Sequence, residues 1–242
     1  MDNTIQNMTN TIQNEKITAL NMTILHLISK TPFEIFTIDE IKKNLIKNNV
    51  KTNYATVYRN VDNLVKQGIL LKEKYGMASK IQLNYSSQKT TSLLAFNETK
   101  KFENFFNNLK GNILTTIREI TSEVRGINDF KSVLIFGSYA KGKQHKKSDL
   151  DLLVIYEIPN LISKILKEQN KLDEYIKEIK KSIMGIIKTS ELRGGPNINP
   201  IIISKKEHKE MISNDEINVA KEALSDHMIL KGYNDYWSNT LN

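Results

Sequence analysis

Apolar residues in the first third of the chain recur three and four positions apart. Ile17, Leu20, Ile24, Leu25 and Ile28 form one such stripe and predict a helix. Thr37 followed by Glu40 has the form of a capping box, opening a short helix to about Lys47 that buries Ile38, Ile41 and Leu45. Thr52 or Asn53 caps a third helix with Val57, Val61, Leu64 and Val65 on one face, and Gly68 closes it. Two short strand-like pieces, Ile69–Lys74 and Lys80–Asn84, are joined by a turn containing Gly76. Three helices and a hairpin in this space describe a winged helix-turn-helix. Residues 1–12, polar and rich in Asn and Thr, read as a frayed start or as the first turns of a helix.

The pattern then changes. Residues 85–92, Tyr-Ser-Ser-Gln-Lys-Thr-Thr-Ser, read as a linker. Phe102, Phe105, Phe106, Leu109, Ile113, Ile117, Ile120 and Val124 restore a helical period, with Gly111 as a break. Val133–Phe136 and Leu150–Ile155 are compact apolar runs, as buried strands are. A further helix carries Leu172, Ile176, Ile179, Ile183 and Ile187, and its Lys/Glu face over residues 171–181 reads as a solvated surface. Ile198 and Ile201–Ile203 predict another strand, Ser204 with Glu207 caps a short helix, and Ala220–Leu230 predicts a last helix before Gly232. The fold class expected is α+β: a winged helix-turn-helix over 1–85, a helical connector over 86–111, and a second domain over 112–242 with a small mixed sheet flanked by helices.

At roughly 150 residues per domain, the 242 residues suggest one large or two small domains. No Cys is present, which excludes a disulfide scaffold, a thiolate zinc site and a cysteine nucleophile, and fits a cytoplasmic location. No apolar run approaches the roughly 20 residues that span a bilayer, so no membrane partner is expected. The net charge is +8. Residues 37–84 hold nine Lys and Arg against four acids, a net +5 in about one fifth of the chain. That excess suits phosphate contact and makes duplex DNA the expected partner of the winged helix.

The candidate chemistry lies in Phe136-Gly137-Ser138-Tyr139-Ala140-Lys141-Gly142 and Ser148-Asp149-Leu150-Asp151. An apolar strand ends in Gly-Ser, and a basic loop containing Lys141, Lys143, Lys146 and Lys147 leads to a second strand bearing two aspartates. Side chains alternate along a strand, so Asp149 and Asp151 project from one face. Two adjacent like charges make most sense with a divalent cation between them. Gly137 lets a ligand approach the backbone, and Ser138 offers an amide and a hydroxyl. Acids for a metal beside a phosphate cradle point to phosphoryl or nucleotidyl transfer.

Gly-Ser, ten residues, then Asp-apolar-Asp resembles the signature of the DNA polymerase-β-like nucleotidyltransferases, in the small minimal branch, and residues 137–151 match it at every position. The resemblance covers about residues 112–235 and implies the following. Gly137, Ser138, Lys141, Gly142 and Ser148 bind the nucleotide, while Asp149 and Asp151 are catalytic and hold Mg²⁺ or Mn²⁺. ATP is the substrate, and AMP passes to a hydroxyl of a partner protein or RNA. Some members of the branch act as antitoxins towards a ribonuclease of the HEPN type, so a toxin–antitoxin pairing and such a partner are implied, with a homodimer as a further expectation. In the family a third carboxylate sits on a later strand. Here Asn199 stands at that place, with Glu191 the nearest acid before it. An amide cannot act as a general base near neutral pH. The alternative is therefore a DNA-binding regulator whose nucleotidyltransferase fold senses nucleotide without turnover.

Residues 53–70 resemble the recognition helix and first wing strand of winged-helix regulators. Asn53, Tyr54, Thr56, Arg59, Asn60 and Asn63 are left for the outer, DNA-reading face, since Asn and Arg can read adenine and guanine edges. The Thr-Val-Tyr-Arg stretch is shared with ferric-uptake-type regulators. Those bind metal through Cys and His, whereas this chain has no Cys and scattered His26, His145, His208 and His227, so zinc sensing is not expected.

Overall fold

A computed structural model describes residues 17–76, 78–145 and 147–241. The chain divides into two compact units, one reaching Glu98 and the other spanning Thr99–Thr240. The expected start over residues 1–12 lies outside the described residues.

In the first unit, helix α1 (Ala19–Ser29) is opened by Thr18 and Asn21, α2 (Ile38–Lys47) by the Thr37–Glu40 box, and α3 (Tyr54–Lys66) by Asn53, whose side chain accepts from the Thr56 amide. Asn53, not Thr52, is thus the cap. Strands β1 (Leu70–Tyr75) and β2 (Ala78–Leu83) pair antiparallel, Leu70 opposite Leu83. Ile24, Leu25, Ile28, Ile41, Leu45, Val57, Val61 and Leu64 are fully buried, so each helix turns the apolar stripe read from the sequence inward.

The expected linker over 85–92 is corrected. Helix α4 begins at Gln88 and runs to Asn108. Thr90 and Leu94 are buried, and the Thr90 hydroxyl donates to the Ile69 carbonyl at 3.2 Å. Packing against the wing overrides the local preference of a Ser/Thr-rich stretch for loop. After α4 the chain turns at Gly111 (φ +63°) into α5 (Gly111–Arg125).

The second unit is built on a four-stranded sheet in the order β5-β4-β3-β6: β3 (Phe130–Ile135), β4 (Leu150–Tyr156), β5 (Ile198–Ser204) and β6 (Met228–Lys231). β3 is antiparallel to β4 and β6, while β4 and β5 are parallel. Pro200 falls on β5, the edge strand, where a missing N–H is tolerated. Between the strands lie the one-turn helix α6 (Gly137–Ala140), α7 (Asn160–Glu168), α8 (Leu172–Leu192), α9 (Lys205–Ser213), α10 (Val219–Ser225) and the closing α11 (Tyr233–Leu241). The helix expected over Ala220–Leu230 is corrected: it stops at Ser225, and Met228–Lys231 pairs with β3 as β6.

One face of the sheet packs Leu150, Leu152 and Val154 with Val133 and Ile135 against Ile117, Ile120 and Val124 of α5 and Ile179, Ile183 and Ile187 of α8. The even-numbered β4 residues take that core, so Asp149 and Asp151 belong to the opposite face.

Candidate functional site

The site forms at one end of the sheet because of strand direction. β3 and β4 run antiparallel, so the chain leaving β3 for Gly137 meets the start of β4. β4 and β5 run parallel, so the start of β5 lies there as well. The Phe136 amide donates to the Asp151 carbonyl at 3.1 Å, and the Leu150 amide donates to the Asn197 carbonyl at 2.8 Å, which extends both ladders to the site.

Gly137 is buried with φ +69°, and a Cβ built on it would overlap Asp151 Oδ2 and stand 3.1 Å from Asp151 Cγ. The carboxylate of Asp151 thus occupies the space that a side chain at 137 would need. Ser138 follows, half-buried, in the opening turn of α6. The first N–H groups of a helical turn lack an intrahelical acceptor and suit an anion.

Two asparagines face the aspartates. Asn197 Nδ2 donates to Asp149 Oδ1 at 3.1 Å, and Asn199 Nδ2 donates to Asp151 Oδ1 at 3.2 Å. The register puts Asn199 directly opposite Asp151. Asn197, which the sequence reading does not single out, follows from Asn199 by the two-residue period of a strand. Glu191 takes no part, for its Oε1 accepts the Ile198 amide at 2.8 Å. Among the described residues, no group of three His, Cys, Asp or Glu gathers anywhere in the chain. Two carboxylates on one strand face, with amide groups beside them, are hard oxygen donors of the kind Mg²⁺ or Mn²⁺ takes, so the residues fit such a cation.

The loop residues have mixed roles. Lys141 Nζ pairs with Glu222 Oε1 at 3.0 Å, an exposed ion pair that a phosphate can displace. Gly142 (φ +65°) turns the chain, and the Lys143 amide donates to the Ser138 carbonyl at 2.9 Å. The Ser148 hydroxyl accepts the His145 amide at 2.9 Å, and the Ser148 amide donates back to the His145 carbonyl, so Ser148 shapes the loop. Lys146 lies outside the described residues. Tyr139, also missed, is buried beside the pair, and burial together with the Asp149 charge pushes its phenol pKa up.

On the winged helix, Asn53, Tyr54 and Arg59 are exposed and Thr56 is half-buried. Asn60 is different from expectation. Its Oδ1 accepts the Thr18 hydroxyl at 2.9 Å, which ties the cap of α1 to α3, and its Nδ2 donates to the Thr56 carbonyl within α3. Asn63 also turns inward, with Oδ1 buried. The outer face gains residues the sequence reading passed over. Tyr58 is 40% exposed and stacks on Tyr54 (centroids 6.4 Å), and Lys72 of the wing donates to the Tyr58 hydroxyl at 3.2 Å.

Residues 115–217 match the family model described as nucleotidyltransferase domain, and residues 13–123 match that of the ferric uptake regulator family. Two proteins of Methanocaldococcus jannaschii, each named "putative protein adenylyltransferase", are 36% and 34% identical over 64 residues. That segment is 26% of this chain and 64% and 69% of the two relatives.

The chain belongs to the nucleotidyltransferase family.

The first of these relatives is covered over less than two thirds of its length. No solved structure gives a significant match. The Gly137–Asp151 unit lies inside the matched nucleotidyltransferase domain, and α3 with its wing lies inside the regulator-type segment. No helix of the described residues is long and apolar enough to cross a membrane.

Proposed function

We propose that this nucleotidyltransferase transfers AMP from ATP to a hydroxyl of a partner protein or RNA, and that its winged helix binds duplex DNA. The observation that carries the first part is the meeting of Asp151, Asp149 and the Gly137-Ser138 turn at one end of the sheet. A divalent cation held by Asp149 and Asp151 would supply charge neutralisation at the phosphates. Gly137 makes room for the Asp151 carboxylate, the first amides of α6 and the Ser138 hydroxyl bind phosphate oxygens, and Lys141 exchanges Glu222 for phosphate. Catalysis then rests on positioning and charge neutralisation. A toxin of the HEPN type as acceptor and a homodimer belong to the same proposal, on the family resemblance.

Incubation with ATP labelled in the α-phosphate, Mg²⁺ and cell extract tests the reading. Label transfer that disappears in Asp149→Ala and Asp151→Ala is the expected result. Nucleotide binding without transfer to any acceptor supports the second reading, a DNA-binding regulator that senses nucleotide. The amides of Asn197 and Asn199 at both aspartates, in place of a third carboxylate, favour that second reading.

A further inference from the structure

Among the described residues, no third carboxylate, His or Lys hydrogen-bonds to Asp149 or Asp151; their side-chain partners are the amides of Asn197 and Asn199. An amide does not take a proton near neutral pH. The acceptor hydroxyl must then bring its own ease of ionisation. Among protein hydroxyls the phenol of tyrosine ionises most readily, with an ordinary pKa of about 10.

The tyrosines differ in their surroundings. Tyr139, Tyr156 and Tyr236 are buried and Tyr233 is half-buried. Tyr85 donates its hydroxyl to the Pro32 carbonyl, and Tyr175 turns its hydroxyl to the Asp129 carboxylate, whose charge opposes a phenolate. Tyr54 and Tyr75 are exposed, but their lysines lie over the rings, Lys42 at 5.9 Å and Lys80 at 3.9 Å from the centroids. Tyr58 is exposed and has a cation at the oxygen as well as over the ring: Lys72 Nζ lies 4.3 Å from the ring centroid and donates to the hydroxyl at 3.2 Å. The ammonium offers a counter-charge to an incoming phosphate.

We infer that Tyr58, on the DNA-reading face of α3, is a self-adenylylation site of this chain, and that its modification switches off DNA binding. The inference rests on the proposed transferase and DNA-binding roles. Tyr58 Oη attacks the α-phosphorus of ATP, so an Oη–P bond forms and the bond from the α-phosphorus to the bridging oxygen breaks. Pyrophosphate leaves with that electron pair, and the phenol proton passes to solvent. The product carries a phosphodiester of charge −1 and an adenosine beside Lys72, on the helix that carries Arg59. Phosphate contacts there would be opposed by like charge and by bulk. Lys72 is a positioning residue for this step.

The experiment incubates the full chain with α-labelled ATP and Mg²⁺, with and without cell extract, and maps any adenylyl group by peptide mass. Duplex binding is then measured on modified and unmodified protein with mixed-sequence DNA at low salt. Expected are an adenylyl group at Tyr58, its loss in Tyr58→Phe, and a fall in labelling in Lys72→Gln that Lys72→Arg restores. Modified protein is expected to lose duplex binding. Labelling of other residues or of extract proteins without Tyr58 would overturn this inference and leave the transferase reading intact. No transfer to any acceptor would overturn both. Undiminished duplex binding by the modified chain would overturn the switch.

Discussion

The carboxylate of Asp151 fills the space beside the Cα of Gly137, so that no side chain at position 137 can coexist with the observed aspartate. A methyl group there meets both the carboxylate and a left-handed backbone, φ +69°. Gly137→Ala is expected to cost about 1–2 kcal/mol of stability from the backbone alone. It is also expected to displace Asp151 and remove metal-dependent ATP binding. Thermal denaturation together with calorimetric titration of ATP, with and without Mg²⁺, reads both effects. A variant that binds ATP as the parent does would contradict the assignment of Asp151 to the metal.

Asn199 lies opposite Asp151 across the parallel pair β4–β5. Asn199→Asp therefore places a third carboxylate at the pair. Tighter metal binding is expected, and, if the absence of a base limits turnover, a rise in transfer rate of about tenfold or more. Rates with α-labelled ATP at several Mg²⁺ concentrations give both quantities. An unchanged rate with tighter metal binding would mean that proton removal from the acceptor is not limiting.

Arg59 is exposed on α3, its Nε donating to the Ala55 carbonyl at 3.3 Å. Duplex binding through this face is expected to weaken steadily with salt and to fall by about 1–3 kcal/mol in Arg59→Ala. Asn60→Ala should instead lower stability, because Asn60 joins α3 to Thr18. Filter binding over a salt series and urea denaturation separate the two variants.

His208 is wholly buried, with the Asn239 amide 2.8 Å from its Nδ1. Burial, with the nearby His227 adding to it, lowers its pKa from 6.5 to about 4. Between these values the unfolded chain binds a proton at this residue and the folded chain does not. Stability is therefore full above pH 6.5 and declines as pH falls, by about 3 kcal/mol at pH 4. Urea midpoints measured from pH 7 to 4 should show this slope, and His208→Gln should flatten it.

What the chain determines locally was legible without coordinates. The helical stripes of α1 to α3, the caps at Thr37 and Ser204, the strands at β3 and β4, and the Gly-Ser…Asp-Leu-Asp spacing all depend on residues close together along the chain. Period-two alternation already placed Asp149 and Asp151 on one face. Other features depend on partners far away in sequence. Asn197 and Asn199 reach aspartates 48 residues before them only because β5 pairs parallel with β4 in one register. Asn60 turns inward to meet Thr18, 42 residues earlier. Residues 88–92 become helix because Thr90 meets the wing, and Met228–Lys231 becomes strand because β3 offers an open edge. Segment periodicity is a property of the segment, whereas register and the direction of a polar side chain follow from which distant segment buries its apolar face beside it.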